Sequence, residues 1–492
     1  MYFPLEKEFT KKAKKYNLIP VYTEVFADME TPVSAFLKID NKKHSYLLES
    51  VEGGENIGRY SFLGSDPNLV FKSKGRKIEI IEKGKKRKYE TKKDPLYELE
   101  LLMKEYKVAE VSGLPKFFGG LVGYMGYDMV RFFETIPDSK KDDLKLPDSC
   151  FILTDTILIF DHVNHMIKIV SNAKVDKNAK QAYKLAIKKI DSIVKQLKKP
   201  LRTSLGEPYL KKDIKTKIKS NEKKSDFEAK VKKAKEYIKA GDIFQVVLSQ
   251  RLESKVKTDS FNLYRALRSV NPSPYMFFLR ENALQIIGSS PEILVQCEDR
   301  KVTVRPIAGT RKRGETLERD SALADELLND KKERAEHIML VDLGRNDIGR
   351  VCKKGSVKPT ELMTIEKYSH VMHIVSDVKG DLAEDKNVFD VIRATFPAGT
   401  VSGAPKVRAM EIIEELEKSK RNLYAGAVGY FSFSGNLDFC ITIRTIVFKN
   451  STAYIQAGAG IVADSVPELE YKECLNKAKA MIKAVELAKT FK

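Results

Sequence analysis

The sequence has few cysteines and no pattern that would bind zinc. Five cysteines and six histidines occur among 492 residues, and no two cysteines form a CxxC motif or adjoin a histidine cluster. The cysteines are Cys150, Cys297, Cys352, Cys440 and Cys474. Their scatter excludes a zinc site and indicates a protein of a reducing compartment.

Long apolar runs are missing as well. No stretch reaches the roughly 18 apolar residues of a membrane-spanning helix, and residues 1–8 lack the basic start and apolar region of a secretory leader. Hydrophobic residues still make up 42% of the chain, which is enough for a folded core. The sequence therefore predicts a globular, cytoplasmic protein with no membrane partner.

A clustered basic surface is the third missing feature. The formal net charge of +20 raises nucleic acid as a partner. The basic residues, however, are mostly lysines interleaved with acids along the whole chain, without a basic stripe, stacking aromatics or a recognition helix. We expect a general lysine-rich surface and no nucleic-acid partner. Salt-dependent binding to DNA or heparin would separate the two interpretations.

The order of segments indicates two halves. The length suggests two domains or one large interwoven body. The first half alternates like β-strands, including one strand over 151–160, and it ends in a lysine-rich helix near 176–199. Residues 200–225 are polar with little periodicity. We therefore predict one domain over 1–205, a linker near 200–225 and a second domain over 225–492.

A strand, a glycine turn and a helix are predicted near the C-terminus. Ser465 and Glu468 form a capping box at the start of this helix. Glu470, Glu473 and Lys477 then share one helix face. Two carboxylates and an ammonium beside a glycine turn would suit a divalent cation and an anionic substrate. A solvated charged face is the ordinary alternative.

A second helix upstream carries Glu333 and Glu336, three residues apart on one face. Four glutamates from two helices could hold Mg²⁺, which prefers oxygen ligands. Mixed glutamate and lysine faces are also common on protein surfaces. The pairing alone therefore leaves both interpretations open.

Two histidines lie in a predicted strand over 368–375. Because side chains alternate along a strand, His370 and His373 should face opposite ways. For either histidine, a hydrogen-bonded structural role is the ordinary interpretation.

The second half carries eight segments whose order resembles the chorismate-utilising enzymes. These segments are GDIFQVVLSQR, GSSPE, RPIAGT, AEH, HVMH, AGTVSGAPK, YAGAVGY and AGAGIVADSVPELEYKE. The resemblance is strong over 225–490 and weaker in the first half, where LLES and GGLVGY carry it. It implies an α+β fold with layered, largely antiparallel sheets flanked by helices, in two associated domains.

The resemblance also implies a reaction that starts from chorismate. Ammonia adds at ring carbon C2 while the C4 hydroxyl leaves, and pyruvate is then eliminated to give an aromatic ring. Mg²⁺ would be held by Glu336 and Glu473, with Glu333 and Glu470 close by, and would bind the ring carboxylate. Glu292 matches the general acid, for which a raised pKa is expected. His373 matches the histidine needed for elimination. The other matching substrate and catalytic positions are Thr400, Gly309, Thr310, Tyr424, Arg444, Gly458, Ala459, Gly460 and Lys477.

Two positions favour one branch of the family. Relatives that add water carry a lysine base where this chain has Gln245, which cannot activate water. Many aminodeoxychorismate-forming relatives carry a nucleophilic lysine where this chain has Ala308. The resemblance therefore favours the anthranilate-forming branch, with the aminodeoxychorismate branch as the alternative.

The source of ammonia must lie outside this chain. A glutaminase needs an activated cysteine in a glycine-flanked turn, and none of the five cysteines adjoins a glycine. The family pairs with a glutamine amidotransferase subunit, so we expect such a partner, which free ammonium could replace. The resemblance further implies inhibition by L-tryptophan at Ser50, Pro274, Tyr275 and Met276. Cys440 lies in a segment linked to the same control.

Overall fold

The computed structural model describes residues 1–51, 58–201, 215–368 and 371–491. The helices are α1 Glu6–Lys12, α2 Pro32–Ile39, α3 Pro95–Lys104, α4 Ala179–Leu197, α5 Lys224–Ala240, α6 Ser260–Val270, α7 Leu317–Asn329, α8 Lys331–Gly349, α9 Val388–Thr395, α10 Lys406–Leu416 and α11 Pro467–Ala488. None of these described helices combines the length and apolar character needed to cross a membrane.

The described residues form twenty-four strands between the helices. Those of the first half are β1 Leu18–Phe26, β2 His44–Glu49, β3 Tyr60–Ser65, β4 Leu69–Lys74, β5 Lys77–Glu82, β6 Lys85–Glu90, β7 Gly120–Met125, β8 Ser149–Thr154, β9 Thr156–Asp161 and β10 Met166–Lys174. Those of the second half are β11 Lys219–Ser220, β12 Gln245–Lys255, β13 Tyr275–Glu281, β14 Leu284–Ser290, β15 Ile293–Glu298, β16 Lys301–Val304, β17 Ile307–Lys312, β18 Lys358–Lys367, β19 Val371–Asp381, β20 Gly403–Ala404, β21 Ala427–Ser432, β22 Leu437–Ile441, β23 Thr445–Lys449 and β24 Thr452–Ile461.

The strands form two sheets of twelve strands each. The first has the order β1-β10-β9-β3-β2-β13-β14-β23-β24-β12-β11, with β20 beside β12. The second has the order β17-β19-β16-β15-β22-β21-β7-β8-β4-β5-β6, with β18 beside β19. Neighbouring strands pair antiparallel, as β2 and β13 do in the first sheet and β7 and β21 in the second. This confirms the predicted α+β class with layered antiparallel sheets.

Both sheets combine strands from both halves of the sequence. In the first sheet, Leu48 of β2 lies opposite Phe277 of β13. In the second, Gly123 of β7 lies opposite Gly429 of β21. A Cβ atom on Gly123 would clash with the backbone of β8, and one on Gly429 with the backbone of β22. The division into two domains near 200–225 stays a prediction, and strands from its two sides pair within each sheet. Residues 202–214 lie outside the described ranges.

Buried side chains separate the layers. One apolar cluster lies between the sheets and includes Tyr46 and Phe277 of the first sheet with Tyr124 and Val428 of the second. A second cluster joins the outer face of the first sheet to α2, α4, α6 and α11, and a third joins the second sheet to α3 and α9. The fold is thus a pair of sheets with helices on both outer faces.

Two local predictions are wrong for physical reasons. The strand predicted over 151–160 is two strands, because the chain leaves the second sheet after Thr154 and enters the first at Thr156. The capping box predicted at Ser465 does not form. Its hydroxyl oxygen instead accepts the backbone N–H of Val462 at 3.0 Å, so α11 begins after Val466 without a side-chain cap.

Candidate active site

The candidate site lies where β12, β24, β17 and β19 meet the helices α8 and α11. The glycine turn expected before α11 is instead the end of β24, where Gly458, Ala459 and Gly460 pair with Ser249, Leu248 and Val247 of β12. A Cβ atom at Gly458 would lie 2.6 Å from the Tyr424 hydroxyl, so only glycine lets this strand pass Tyr424 so closely. The glycines of β24 therefore let the side chains of Tyr424 and Gln245 pack directly against this strand.

The ammonium group of Lys477 lies close to several glutamates of the site. Its Nζ donates to the Gly458 carbonyl oxygen at 3.1 Å and lies 2.6 Å from Glu473 Oε1. The same ammonium is close enough to lower the pKa values of Glu292, Glu336 and Glu470. One cation thus links glutamates from three separate segments.

Among the four glutamates predicted to bind the metal, Glu336 and Glu470 have raised pKa values. Burial raises the pKa of each carboxyl, and a neighbouring glutamate raises it further. Gln245 Nε2 donates to Glu336 Oε1 at 3.0 Å, and a hydrogen bond from Ser465 opposes the rise at Glu470. These carboxylates therefore sit close to like charges in a partly dry environment.

The other two glutamates, Glu333 and Glu473, pair with cations of the chain. Glu333 Oε1 lies 3.3 Å from Arg311 Nη1 of β17, and Glu473 pairs with Lys477. Within the described ranges, no three acidic, histidine or cysteine side chains are grouped closely enough to bind a metal. The residues fit Mg²⁺ by their chemistry, since carboxylate oxygens are its preferred ligands and a divalent cation would relieve the repulsion among them. The four magnesium ligands remain a prediction.

Glu292 lies in the short connection between β14 and β15 and is 8% exposed. Burial raises its pKa from 4.5 to about 8, while the nearby Thr400 hydroxyl and the Lys477 ammonium oppose the rise. The Thr400 hydroxyl is itself buried and makes no hydrogen bond of ordinary geometry to a described residue. The carboxyl is therefore protonated at neutral pH and can donate a proton.

His373 of β19 is held by the turn in β17. Its Nδ1 lies 2.9 Å from the Gly309 carbonyl oxygen and 3.1 Å from the Thr310 hydroxyl. Burial and the nearby Arg444 lower the pKa of the imidazole, so the ring is neutral. An Nδ1–H that donates to the carbonyl leaves Nε2 as the basic nitrogen. His370, predicted to face the other way, lies outside the described residues.

Arg444 and Tyr424 complete the predicted set. Arg444 has a left-handed backbone, with φ of 50°. Desolvation lowers the pKa of its guanidinium, which lies near Tyr424 and Glu473. In the part of the chain that the structure describes, no carboxylate pairs with it within 4.0 Å. A partly buried guanidinium that forms no ion pair within the described residues is suited to bind a carboxylate from outside the chain.

The chain matches a family of known proteins. Residues 43–483 match the family described as chorismate binding enzyme. The chain belongs to that family. It is 52% identical to anthranilate synthase component 1 of Acetivibrio thermocellus over 99% of both chains, and 51% identical to that of Aquifex aeolicus (strain VF5) over 98% of this chain and 97% of the relative.

Solved structures of similar fold support this family assignment. The crystal structure of anthranilate synthase component I from Streptococcus pneumoniae TIGR4 superimposes with a TM-score of 0.78 at 38% identity, covering 93% of this chain and 99% of that one. The menaquinone-specific isochorismate synthase MenF of Escherichia coli, at 16% identity and a TM-score of 0.71, shares the fold. The architecture is therefore shared with a structure of low sequence identity.

In this chorismate-binding enzyme, the predicted inhibitor residues line one cavity between the sheets. The cavity measures about 960 Å³, and its wall includes Ser50, Pro274, Tyr275, Met276 and Cys440. The Ser50 hydroxyl is buried and has no hydrogen-bond partner among the described residues. The cavity is thus large enough for an amino acid and offers it a polar group, while its occupant stays a prediction.

Two supporting residues were missed from the sequence. The first is Arg311, whose place directly after the GT of RPIAGT brings it to Glu333. The second is Arg421, which follows the helix α10. Its guanidinium is buried, pairs with Glu417 at 2.6 Å, and donates to the carbonyl oxygens of Val247 and Val401 at 2.6 and 2.7 Å. The i, i+4 spacing of Glu417 and Arg421 was the available signal.

Proposed function

We propose that this chain is the large, aminase subunit of an anthranilate synthase, which converts chorismate and ammonia to anthranilate and pyruvate. The observation that carries the proposal is the buried, protonated Glu292 beside Thr400 and Lys477, in a site where Gln245 binds Glu336. A glutamine in that position cannot activate water, so ammonia is the better nucleophile. The identity to anthranilate synthases over the full chain supports the same choice.

Substrate binding depends on two cationic side chains near the glycine-containing end of β24. The guanidinium of Arg444 and the ammonium of Lys477 would bind the two carboxylates of chorismate. Glu336 and Glu473 would hold Mg²⁺, with Glu333 and Glu470 close by. When bound, the ion supplies neutralising charge at the ring carboxylate.

The amination step uses Glu292 as general acid. Ammonia forms the new bond to C2, the ring double bonds shift, the C4–O bond breaks, and the ammonium group formed on C2 loses one proton to solvent. The Glu292 proton passes to the departing hydroxyl oxygen, which leaves as water. Because Glu292 holds its proton at neutral pH, it is ready for this transfer.

The elimination step uses the neutral imidazole of His373. The basic Nε2 takes the C2 proton, and that C–H electron pair forms the last double bond of the aromatic ring. The C3–O bond breaks with its electron pair on oxygen, and the enolate that leaves becomes pyruvate when its methylene carbon is protonated. The Gly309 carbonyl and Thr310 hydroxyl fix the imidazole through Nδ1.

We further propose a glutamine amidotransferase partner as the source of ammonia and L-tryptophan as an inhibitor in the 960 Å³ cavity. All five cysteines are buried and free, so none is available as a glutaminase nucleophile. Free buried thiols also agree with a cytoplasmic location.

The test is anthranilate fluorescence from chorismate, ammonium and Mg²⁺, without any partner. Glu336→Gln and Glu473→Gln should each lose turnover and weaken Mg²⁺ binding in calorimetry, because each removes an anionic ligand. The matched control is Glu468→Gln, an exposed α11 glutamate that pairs with Lys472. Full activity of both site variants, or activity in excess chelator, would refute the metal assignment. Absence of anthranilate from the wild type would refute the function.

A further inference from the structure

A second cavity adjoins Glu292 on the side of α8. It measures about 40 Å³, and its polar lining includes Glu292, Thr400, Arg305 and Asp347. The remaining wall is largely apolar, with Leu340 and Leu343 among its residues. A cavity needs only about 10–15 Å³ of this kind of space to hold one water molecule, provided that polar partners surround it. This cavity meets both conditions.

Asp347 joins that cavity to the protein surface. It lies near the end of α8, and its side chain is 13% exposed. Its Oδ2 lies 2.6 Å from Nζ of Lys406, which follows the glycine-rich loop that carries Thr400. Arg350 and Glu134 are the other charged groups close enough to affect it. Neither the binding of substrate nor the chemistry proposed above uses this carboxyl.

Glu292 needs a proton supply. Each amination transfers its proton to the departing hydroxyl, so the carboxylate must regain a proton before the next turnover. Burial leaves Glu292 with little direct contact with solvent. Arg305, the other charged group of the cavity, is occupied by Glu366 and Asp377, the latter at 2.8 Å. Asp347 is therefore the acid of the cavity wall that can supply the proton.

We propose that Asp347 returns a proton to Glu292 after each amination, through water held in the cavity between them. The Asp347 O–H bond breaks as its proton passes to the water molecule. A different proton of that water passes to the Glu292 carboxylate as its O–H bond breaks. Solvent then protonates Asp347 again. No electrons are transferred. Asp347 acts through Glu292 and does not touch substrate, and this inference rests on the proposed function.

The acidities of the two groups favour this direction. Burial raises the pKa of Asp347 to about 6, against about 8 for Glu292, and Lys406 limits the rise at Asp347. A proton therefore moves from the stronger acid to the weaker one. The buried Thr400 hydroxyl lines the same cavity next to Glu292, and because it makes no hydrogen bond of ordinary geometry to a described residue, it can bind the intervening water.

The test is rapid-quench kinetics of Asp347→Asn with chorismate and ammonium at pH 7. Because Glu292 begins protonated, the first turnover should match the wild type, while later turnovers should be at least about tenfold slower, within the range of lost proton-transfer steps. Asp347→Glu, which keeps the carboxyl, should restore steady turnover. Asp342→Asn is the control, since this α8 residue is 55% exposed and pairs with Arg345.

A cavity-filling variant gives an independent check. Ala398→Val adds bulk to the cavity wall without removing a charge, and it should also slow later turnovers more than the first. Unchanged steady turnover in both variants, or equal slowing of first and later turnovers, would overturn the proposal. Anthranilate production by the wild type tests the proposed function separately, so the two failures are distinguishable.

Discussion

Glu292 should lower the stability of the folded protein as the pH rises, and the variant Glu292→Gln should not show this loss. In the native state the carboxyl keeps its proton up to about pH 8, while its ordinary pKa is 4.5. Between these values the native state binds more protons than the unfolded state. The free energy of unfolding must therefore fall as the pH rises through this range.

The magnitude follows from the raised pKa. Each pH unit corresponds to about 1.4 kcal/mol, so ionisation of the unfolded state favours unfolding by about 3 kcal/mol at pH 7 and about 5 kcal/mol at pH 8. Glutamine has a similar shape and cannot ionise. The free energy of unfolding of Glu292→Gln should therefore exceed that of the wild type by little near pH 4.5, and by progressively more up to pH 8. The same variant should lose about 10²–10⁴-fold in activity, because it has no proton to donate.

Urea unfolding of wild type and Glu292→Gln at pH 5, 6, 7 and 8 measures the difference. Glu236→Gln, a variant of a helical glutamate whose side chain is 67% exposed, is the control and should show no such trend. The wild-type rate of anthranilate formation should fall as the pH rises through about 8, where Glu292 ionises. A stability difference that is constant from pH 5 to 8, together with a flat rate profile, would refute the argument.

Two further predictions address elimination and inhibition. His373→Met should still consume chorismate and ammonium but release no pyruvate, because it lacks the basic Nε2; a normal rate of pyruvate release would contradict that role. Ser50→Arg should remove tryptophan inhibition and keep activity, because it fills the cavity between the sheets and leaves Glu292 and Lys477 unchanged. Turnover against tryptophan concentration, with calorimetry of both proteins, checks this, and a wild type that binds no tryptophan would refute it.

The sequence predicts the positions of candidate site residues correctly where these depend only on neighbouring residues in the chain. The helical spacing that puts Glu470, Glu473 and Lys477 on one face is such a case, and α11 carries all three. The capping box at Ser465 failed because a second backbone donor, the Val462 N–H, competes for the same hydroxyl. Local patterns do not reveal which of two nearby donors is used.

Contacts between distant segments could not be predicted in this way. Nothing in the sequence around Thr154 and Thr156 marks the point where the chain leaves one sheet and enters the other. The same is true of Gln245, whose amide reaches Glu336 on another element at 3.0 Å. Such contacts depend on long-range strand pairing, which periodicity does not encode.

The position of the amino group on the product tests the central claim most directly. The wild-type chain, chorismate, Mg²⁺ and ¹⁵N-labelled ammonium should give an aromatic product with ¹⁵N on the carbon next to the carboxylate-bearing carbon, together with an equal amount of pyruvate. Nuclear magnetic resonance of the mixture measures both. Nitrogen opposite the carboxylate-bearing carbon with pyruvate retained, or a hydroxylated product without nitrogen, would contradict the account.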